Sequence, residues 1–192
     1  MAKLYFNYSS MNAGKSTMLL QANHNYIERG MKPEIYTSNL DSRFGTGEII
    51  SRIGLRFKSN IFDTKTDIYN EIINKKINKE IDCVLIDEAQ FLTKDQVSQL
   101  GRIVDLLDIP VLTFGIRTDF QGNLFEGSKY LLAWADNLKE IKTVCHCGRK
   151  ATMVLRLNED GQIVEDGSQI DIGGEEKYVS VCRKHFYDKN IG

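Results

Sequence analysis

Short apolar runs alternate along the chain with stretches whose apolar residues recur every three or four positions. Lys3 to Tyr8, rich in β-formers at Leu4, Tyr5 and Phe6, reads as a strand. Ser9 to Gly14 is a small-residue turn. From Lys15 to Arg29, Met18, Leu19, Ala22 and Tyr26 share one helical face, and Gly30 is suited to end the helix. Pro33 to Thr37 reads as a second strand. Asp41 to Arg52 is polar, carries Gly45 and Gly47, and reads as a loop. Asp67 to Ile77 is a helix with Ile68, Ile72 and Ile73 on one side. Cys83 to Ile86 is an unbroken apolar run, the pattern of a strand buried on both faces of a parallel sheet. Thr93 to Leu107 reads as a helix with Thr93 as its N-cap. Pro110 to Phe114 is another buried strand, Leu124 to Ala135 a helix, and Ile141 to Val144 a further strand.

Strands alternating with helices predict an α/β fold, a doubly wound parallel sheet, over residues 1–144. After Cys145 the texture changes. Short alternating runs, Ala151 to Leu157 and Tyr178 to Val181, flank a Gly- and Asp-rich stretch from Asn158 to Gly174. Residues 145–192 therefore read as a small β-rich appendage with a long loop. The 25 Lys+Arg against 26 Asp+Glu in 192 residues leave a net charge of −1, without the basic surplus of a dedicated nucleic-acid binder. The N-terminal segment has no apolar core of a targeting signal, and no apolar stretch is long enough to span a bilayer, so a cytoplasmic location and no membrane partner are expected. The four cysteines are then expected to be reduced.

The first strand runs into Ser9-Ser10-Met11-Asn12-Ala13-Gly14-Lys15-Ser16, and a helix follows. This approximates the phosphate loop G-x-x-x-x-G-K-[ST], with Ser9 at the first glycine. Backbone N–H groups of such a loop and the helix N-terminus face phosphates. Lys15 can reach the β- and γ-phosphates, and Ser16 can ligate Mg²⁺. The unbroken apolar strand Cys83 to Ile86 ends in Asp87-Glu88-Ala89-Gln90-Phe91. A carboxylate at that position helps hold Mg²⁺ (the Walker-B arrangement), and a parallel sheet brings its strand ends to one edge. The neighbouring Glu88 can act as a base toward an attacking hydroxyl or water. An ATP-driven nucleic-acid motor shares this Asp-Glu-Ala-Gln sequence, but it needs two nucleotide-site lobes and a basic track.

Cys145, Cys147, Cys182 and His185 form C-x-C…C-x-x-H, a donor set for tetrahedral Zn²⁺. Four protein donors would leave no open position, so the site is expected to be structural. His146, between the first two cysteines, is a competing ligand. Cys83 reads as a small buried hydrophobe and Trp134 and Phe125 as core residues, whereas His24 is assigned no role.

Together these segments resemble the zinc-containing, type II thymidine kinases, and most closely their bacterial branch. The resemblance is carried by Met11-Asn12-Ala13-Gly14-Lys15-Ser16, Asp41-Ser42-Arg43-Phe44, Asp87-Glu88-Ala89-Gln90-Phe91, Gly115-Ile116-Arg117-Thr118-Asp119-Phe120 and Ile172-Gly173-Gly174 with Tyr178 and Cys182. It implies transfer of the γ-phosphate of ATP to the 5′-hydroxyl of thymidine, with deoxyuridine as a further acceptor, in thymidine salvage. Glu88 would take the hydroxyl proton. The loop Ser9 to Ser16, Asp87, Gln90 and Arg43 would belong to the ATP·Mg²⁺ site. Asn158 to Ser168 matches a lasso over the nucleoside, held by zinc. Backbone groups of Gln169, Ile170, Asp171, Ile172 and Gly173 would read the base. Tyr178, Phe120 and Phe91 match positions around sugar and base, and Met11 and Leu112 positions near the 5-methyl group. The resemblance also implies feedback inhibition by thymidine triphosphate and a homotetramer, with no nucleic-acid partner.

Overall fold

The computed structural model describes residues 1–40, 47–78, 80–170 and 178–192. In chain order its first elements are β1 (Leu4–Ser9), α1 (Lys15–Glu28), β2 (Pro33–Ser38), β3 (Glu48–Ile50), β4 (Arg56–Lys58), β5 (Asn60–Phe62), α2 (Ile68–Asn78) and β6 (Cys83–Ile86). A 3₁₀ turn, Ala89–Phe91, then leads to α3 (Lys94–Leu107), β7 (Val111–Ile116), α4 (Glu126–Trp134) and β8 (Asn137–Glu140). The C-terminal part holds β9 (Thr143–Val144), β10 (Lys150–Ala151), β11 (Met153–Leu157), β12 (Ile163–Val164), β13 (Tyr178–Val181) and α5 (Arg183–Tyr187).

Six strands form one parallel sheet in the order β5-β2-β6-β7-β1-β8. Alternation within β6 explains why its residues are all apolar. Val84 and Ile86 join Phe6, Ile68, Leu100 and Leu131 in a core between the sheet and α2, α3 and α4. Cys83 and Leu85 join Leu19, Leu20 and Phe114 in a second core against α1. Helices on both faces make this the expected doubly wound fold. Each fully buried Leu, Ile or Phe contributes roughly 1.5–3 kcal/mol of transfer free energy, and the two cores share that load across the sheet. Thr93 caps α3 as its sequence predicts: its hydroxyl accepts the Gln96 N–H at 3.2 Å, and the Gln96 side chain accepts the Thr93 N–H at 3.0 Å.

Two expectations need correction. The closing strand of the sheet is Asn137–Glu140, not Ile141 to Val144. It is an edge strand with Leu138 and Lys139 exposed, so no apolar run marks it. Only the Ile141 N–H extends that ladder, donating to the Tyr8 carbonyl at 2.8 Å, whereas Thr143–Val144 pairs with β10. The loop expected over Asp41 to Arg52 contains β3, which forms an antiparallel hairpin with β4. Residues 41–46 of that loop, Arg43 among them, lie outside the described residues, as do Asp171, Ile172 and Gly173. Finally, β5 and β12 escaped the sequence pattern because strands of two or three residues carry no readable period.

The C-terminal strands make a small sheet of order β12-β11-β13 beside the β9-β10 pair. A third core forms here, from Cys145, Ala151, Leu155, Val181, Cys182 and Phe186. Among the described residues no helix is long and apolar enough to cross a membrane.

Candidate active site

The phosphate loop leaves β1 at its C-terminal end. Two of its residues take left-handed backbone: Asn12 at φ 60° and Gly14 at φ 83°, the latter serving as N-cap of α1. Gly14 meets that requirement without a Cβ penalty. Ser9, at the motif's usual first glycine, does not need such freedom. It is the last β1 residue, paired with Ile116 of β7, and buried. Its hydroxyl donates to the Ser10 carbonyl and accepts from Lys15 Nζ at 3.1 Å. Lys15 Nζ also donates to the Ser10 carbonyl at 3.1 Å, so the ammonium folds back over the loop.

Asp87 follows β6 and meets Ser16 directly, accepting from its hydroxyl at 3.0 Å. Asp87 is buried. Burial and then the adjacent Glu88 charge push its carboxyl up to about 7, against the pull of hydrogen bonds from the Glu88 N–H and Ser16. Glu88 itself sits at φ 51°, an uncommon conformation for a residue with a side chain. Three contacts hold it there. Its N–H donates to Asp87 Oδ1 at 3.0 Å, Gln90 Nε2 donates to its carboxylate, and Gln90 Oε1 accepts the Ile116 N–H at 3.1 Å. Two glycines allow the close packing around this turn. A Cβ on Gly115 would lie 2.9 Å from Gln90 Oε1, and one on Gly127 would lie 2.4 Å from the Ala89 carbonyl oxygen.

A single cavity gathers these parts. Met11, Asn12, Gly14, Lys15 and Ser16 line one part of it, and Asp87, Glu88, Gln90 and Phe91 another. Phe120, Gln169, Ile170 and Tyr178 complete the group of predicted residues on its wall. Leu112 is not with them: it packs into the core against α1. Ser9 and Ser10 are buried behind their hydrogen bonds, and Ala13 does not line the cavity. Phe125, read as core, both lines the cavity and meets Phe91 edge-on, ring centroids 5.9 Å apart. The cavity also takes in Ile49, Ile50 and Ser51, from and beside the β3–β4 hairpin.

Asp119, marked in the sequence only as part of a motif, and Arg156 have roles that the sequence did not assign. Buried Asp119 accepts the Gln169 side-chain amide at 2.8 Å and the N–H groups of Gln121 and Asn123 through its other oxygen. Arg156, buried in β11, stacks its guanidinium 3.9 Å from the centre of the Phe120 ring and donates to the Ser168 and Asp166 carbonyls at 3.0 and 3.1 Å. It thus ties the 158–168 segment to a wall of the cavity. Gly167 makes room, at φ 137° and with its Cβ position 2.4 Å from Arg156 Nη2. An arginine in the middle of an apolar strand was the available signal.

Cys145, Cys147, Cys182 and His185 place their four donor atoms within 4.8 Å of one another. His185 Nδ1 lies 3.3 Å from Cys145 Sγ and 3.6 Å from Cys182 Sγ, and Cys147 Sγ lies 3.9 Å from Cys182 Sγ. Ligands on a tetrahedron with Zn–S bonds near 2.3 Å stand about 3.7 Å apart, so the set fits zinc. Burial raises the Cys145 thiol, but the Cys147 N–H and the His185 ring outweigh it and bring it to about 6. His146 stands outside this set and stacks on the His185 ring at 4.3 Å.

A parallel α/β sheet with a phosphate loop, an Asp-Glu pair at the next-but-one strand end and a Cys₃His cluster defines a P-loop-type α/β protein whose C-terminal part carries a donor set that could hold zinc. Residues 2–186 match the family model described as "Thymidine kinase". The thymidine kinase of Mannheimia succiniciproducens is 60% identical over 189 residues, covering 98% of this chain and 97% of that protein. That of Rhodopirellula baltica is 60% identical over 186 residues, 97% of this chain and 88% of the other. That of Salmonella typhimurium is 58% identical over 188 residues, 98% and 92%. The chain belongs to the thymidine kinase family. Among solved structures, a Pif1 helicase from Candida albicans overlaps 73% of this chain and 36% of its own, at TM-score 0.43 and 14% identity, too loosely to bear on activity.

Proposed function

We propose that this chain transfers the γ-phosphate of ATP to the 5′-hydroxyl of thymidine, with Glu88 as general base. The observation that carries this reading is the meeting of Ser16 and Asp87 at 3.0 Å beside Glu88 in one cavity. Lys15 and the loop N–H groups would cradle the phosphates. Ser16 and Asp87 are the residues that would hold Mg²⁺, which supplies charge neutralisation on the β- and γ-phosphates when bound. Glu88 then accepts the proton of the attacking hydroxyl, with its carboxylate oriented by Gln90. Phe91, Phe120, Phe125 and Tyr178 offer the apolar, aromatic walls a nucleoside needs. Arg43 would serve the transferred phosphate, and 171–173 the base edge. Residues 145–192 would act as a zinc-held unit whose 158–168 segment closes over the nucleoside. The Cys₃His set would hold that zinc structurally. Deoxyuridine as a second acceptor, inhibition by thymidine triphosphate, a homotetramer and a cytoplasmic place in thymidine salvage complete the proposal.

The test is phosphate transfer from ATP with Mg²⁺ to each of the four deoxynucleosides, resolved by product. Transfer confined mainly to thymidine is expected. Glu88→Gln should retain ATP binding and lower kcat by about 10² or more. An unchanged kcat would remove Glu88 from the role of base. ATP hydrolysis stimulated by single-stranded DNA, without transfer to nucleoside, would favour the motor reading instead.

A further inference from the structure

Strand β13 and the residue that follows it make three different contacts. Tyr178 and Ser180 stand two residues apart in β13, so their side chains leave the same side of the strand, and Cys182 follows it directly as the N-cap of α5. Tyr178 lines the cavity, and Cys182 belongs to the Cys₃His set. Between them, the Ser180 hydroxyl donates to the Met11 carbonyl at 2.7 Å, across 169 positions of sequence. A second, longer contact runs from the phosphate loop to the same unit: the Ser10 hydroxyl donates to the Ala151 carbonyl of β10 at 3.4 Å. Both contacts fall on the two loop residues just before Asn12.

Peptide geometry gives the Ser180 contact a consequence for the nucleotide site. The Met11 carbonyl and the Asn12 N–H belong to one planar trans peptide and point in opposite directions. A carbonyl held toward β13 therefore turns the Asn12 N–H away from β13. Asn12 is a cavity-lining residue at φ 60°, a left-handed conformation uncommon for side-chain-bearing residues but one that asparagine tolerates better than most. We propose that Ser180 is a positioning residue for the ATP site: by holding the Met11 carbonyl it fixes the 11–12 peptide with its N–H toward the phosphates. The strand that supplies Tyr178 to the nucleoside side of the cavity thus also sets the ATP loop. This inference rests on the ATP reading of that loop.

The hydrogen bond can be isolated with Ser180→Thr and Ser180→Val, two variants of nearly equal shape that differ in the hydroxyl. ATP affinity is measured by calorimetry on the full chain with Mg²⁺, beside steady-state transfer to thymidine. A net hydrogen bond of ordinary strength corresponds to a factor of about 2–10 in affinity. Ser180→Val is expected to bind ATP weaker than Ser180→Thr by that factor. Its KM for ATP should rise similarly, with kcat at saturating ATP within about twofold of the Thr variant. Equal ATP affinities in the two variants would overturn the inference while leaving the kinase reading intact. A wild-type chain that neither binds ATP nor phosphorylates thymidine would overturn both.

Discussion

At the scale of single residues, the centre of the site is two adjacent carboxylates in unlike settings. Asp87 is buried against the Ser16 hydroxyl, and its carboxyl rises from the usual range to about 7. Because the folded state holds this proton more tightly than the unfolded chain, the stabilisation is full below about pH 4 and is lost as pH rises through about 7. Asp87→Asn removes that loss. Without Mg²⁺, the variant should melt progressively higher than wild type as pH increases from 4 to 8, by an amount on the order of 1 kcal/mol or more at pH 8. Thermal melts of both proteins across that range check it, and a gap independent of pH would show that Asp87 ionises freely. The same substitution should abolish phosphate transfer, since it removes the carboxylate proposed to hold Mg²⁺. The site therefore gives up stability to keep a carboxylate buried beside the phosphate loop.

At the scale of elements, the site depends on how closely α4 and β7 approach the 3₁₀ turn after Glu88. Gly127, in the first turn of α4, leaves no room for a methyl group: a Cβ would sit 2.4 Å from the Ala89 carbonyl and 2.9 Å from those of Gln90 and Leu92. Gly127→Ala must push α4 off the turn. Overpacking of this kind costs about 1–3 kcal/mol. For a chain of this size that corresponds to a fall in Tm of roughly 2–12 °C, at about 2–4 °C per kcal/mol. The displaced turn also carries Gln90, so kcat should drop while ATP affinity changes little; a melt and ATP titration test both. Elements also show where sequence patterns speak and where they are silent. β6 is legible because four consecutive apolar residues serve two cores, and α3 because Thr93 and Gln96 spell out a capping box. β8 is not legible because an edge strand with exposed Leu138 and Lys139 has the composition of a loop.

At the scale of the whole molecule, the Cys₃His set and the nucleotide loop are joined through β13 and β10. Stripping the metal should therefore disturb more than the C-terminal sheet. Cys182→Ser is expected to lose zinc and thymidine binding together, because Cys182 terminates the strand that carries Tyr178. Metal content by atomic absorption and thymidine binding by calorimetry measure this on one sample. A variant lacking zinc that still bound thymidine normally would show that the nucleoside side of the cavity is independent of the cluster. Arg156 adds a second join, from the 158–168 segment to Phe120, through carbonyl oxygens that no side-chain pattern can reveal.

What the sequence by itself determined is everything encoded by local pattern or by covalent spacing. Periodicity defines the helices and buried strands, the phosphate loop and the Asp87-Glu88 pair lie at strand ends where chemistry can meet, and the spacing of the Cys and His residues selects a metal. These follow because hydrophobic alternation and short-range ligand geometry act over a few residues. Tertiary structure alone decided which distant atoms touch. It set Ser16 on Asp87, Gln90 on Glu88, Arg156 over Phe120 and Ser180 on the Met11 carbonyl, and it moved Leu112 into the core and Phe125 into the cavity wall. It also showed that Ser9 needs no glycine, since the strand conformation and not the turn governs that position. Such contacts depend on strand order and on hydrogen bonds to backbone oxygens. Every residue carries those oxygens, so their use leaves no mark in the sequence.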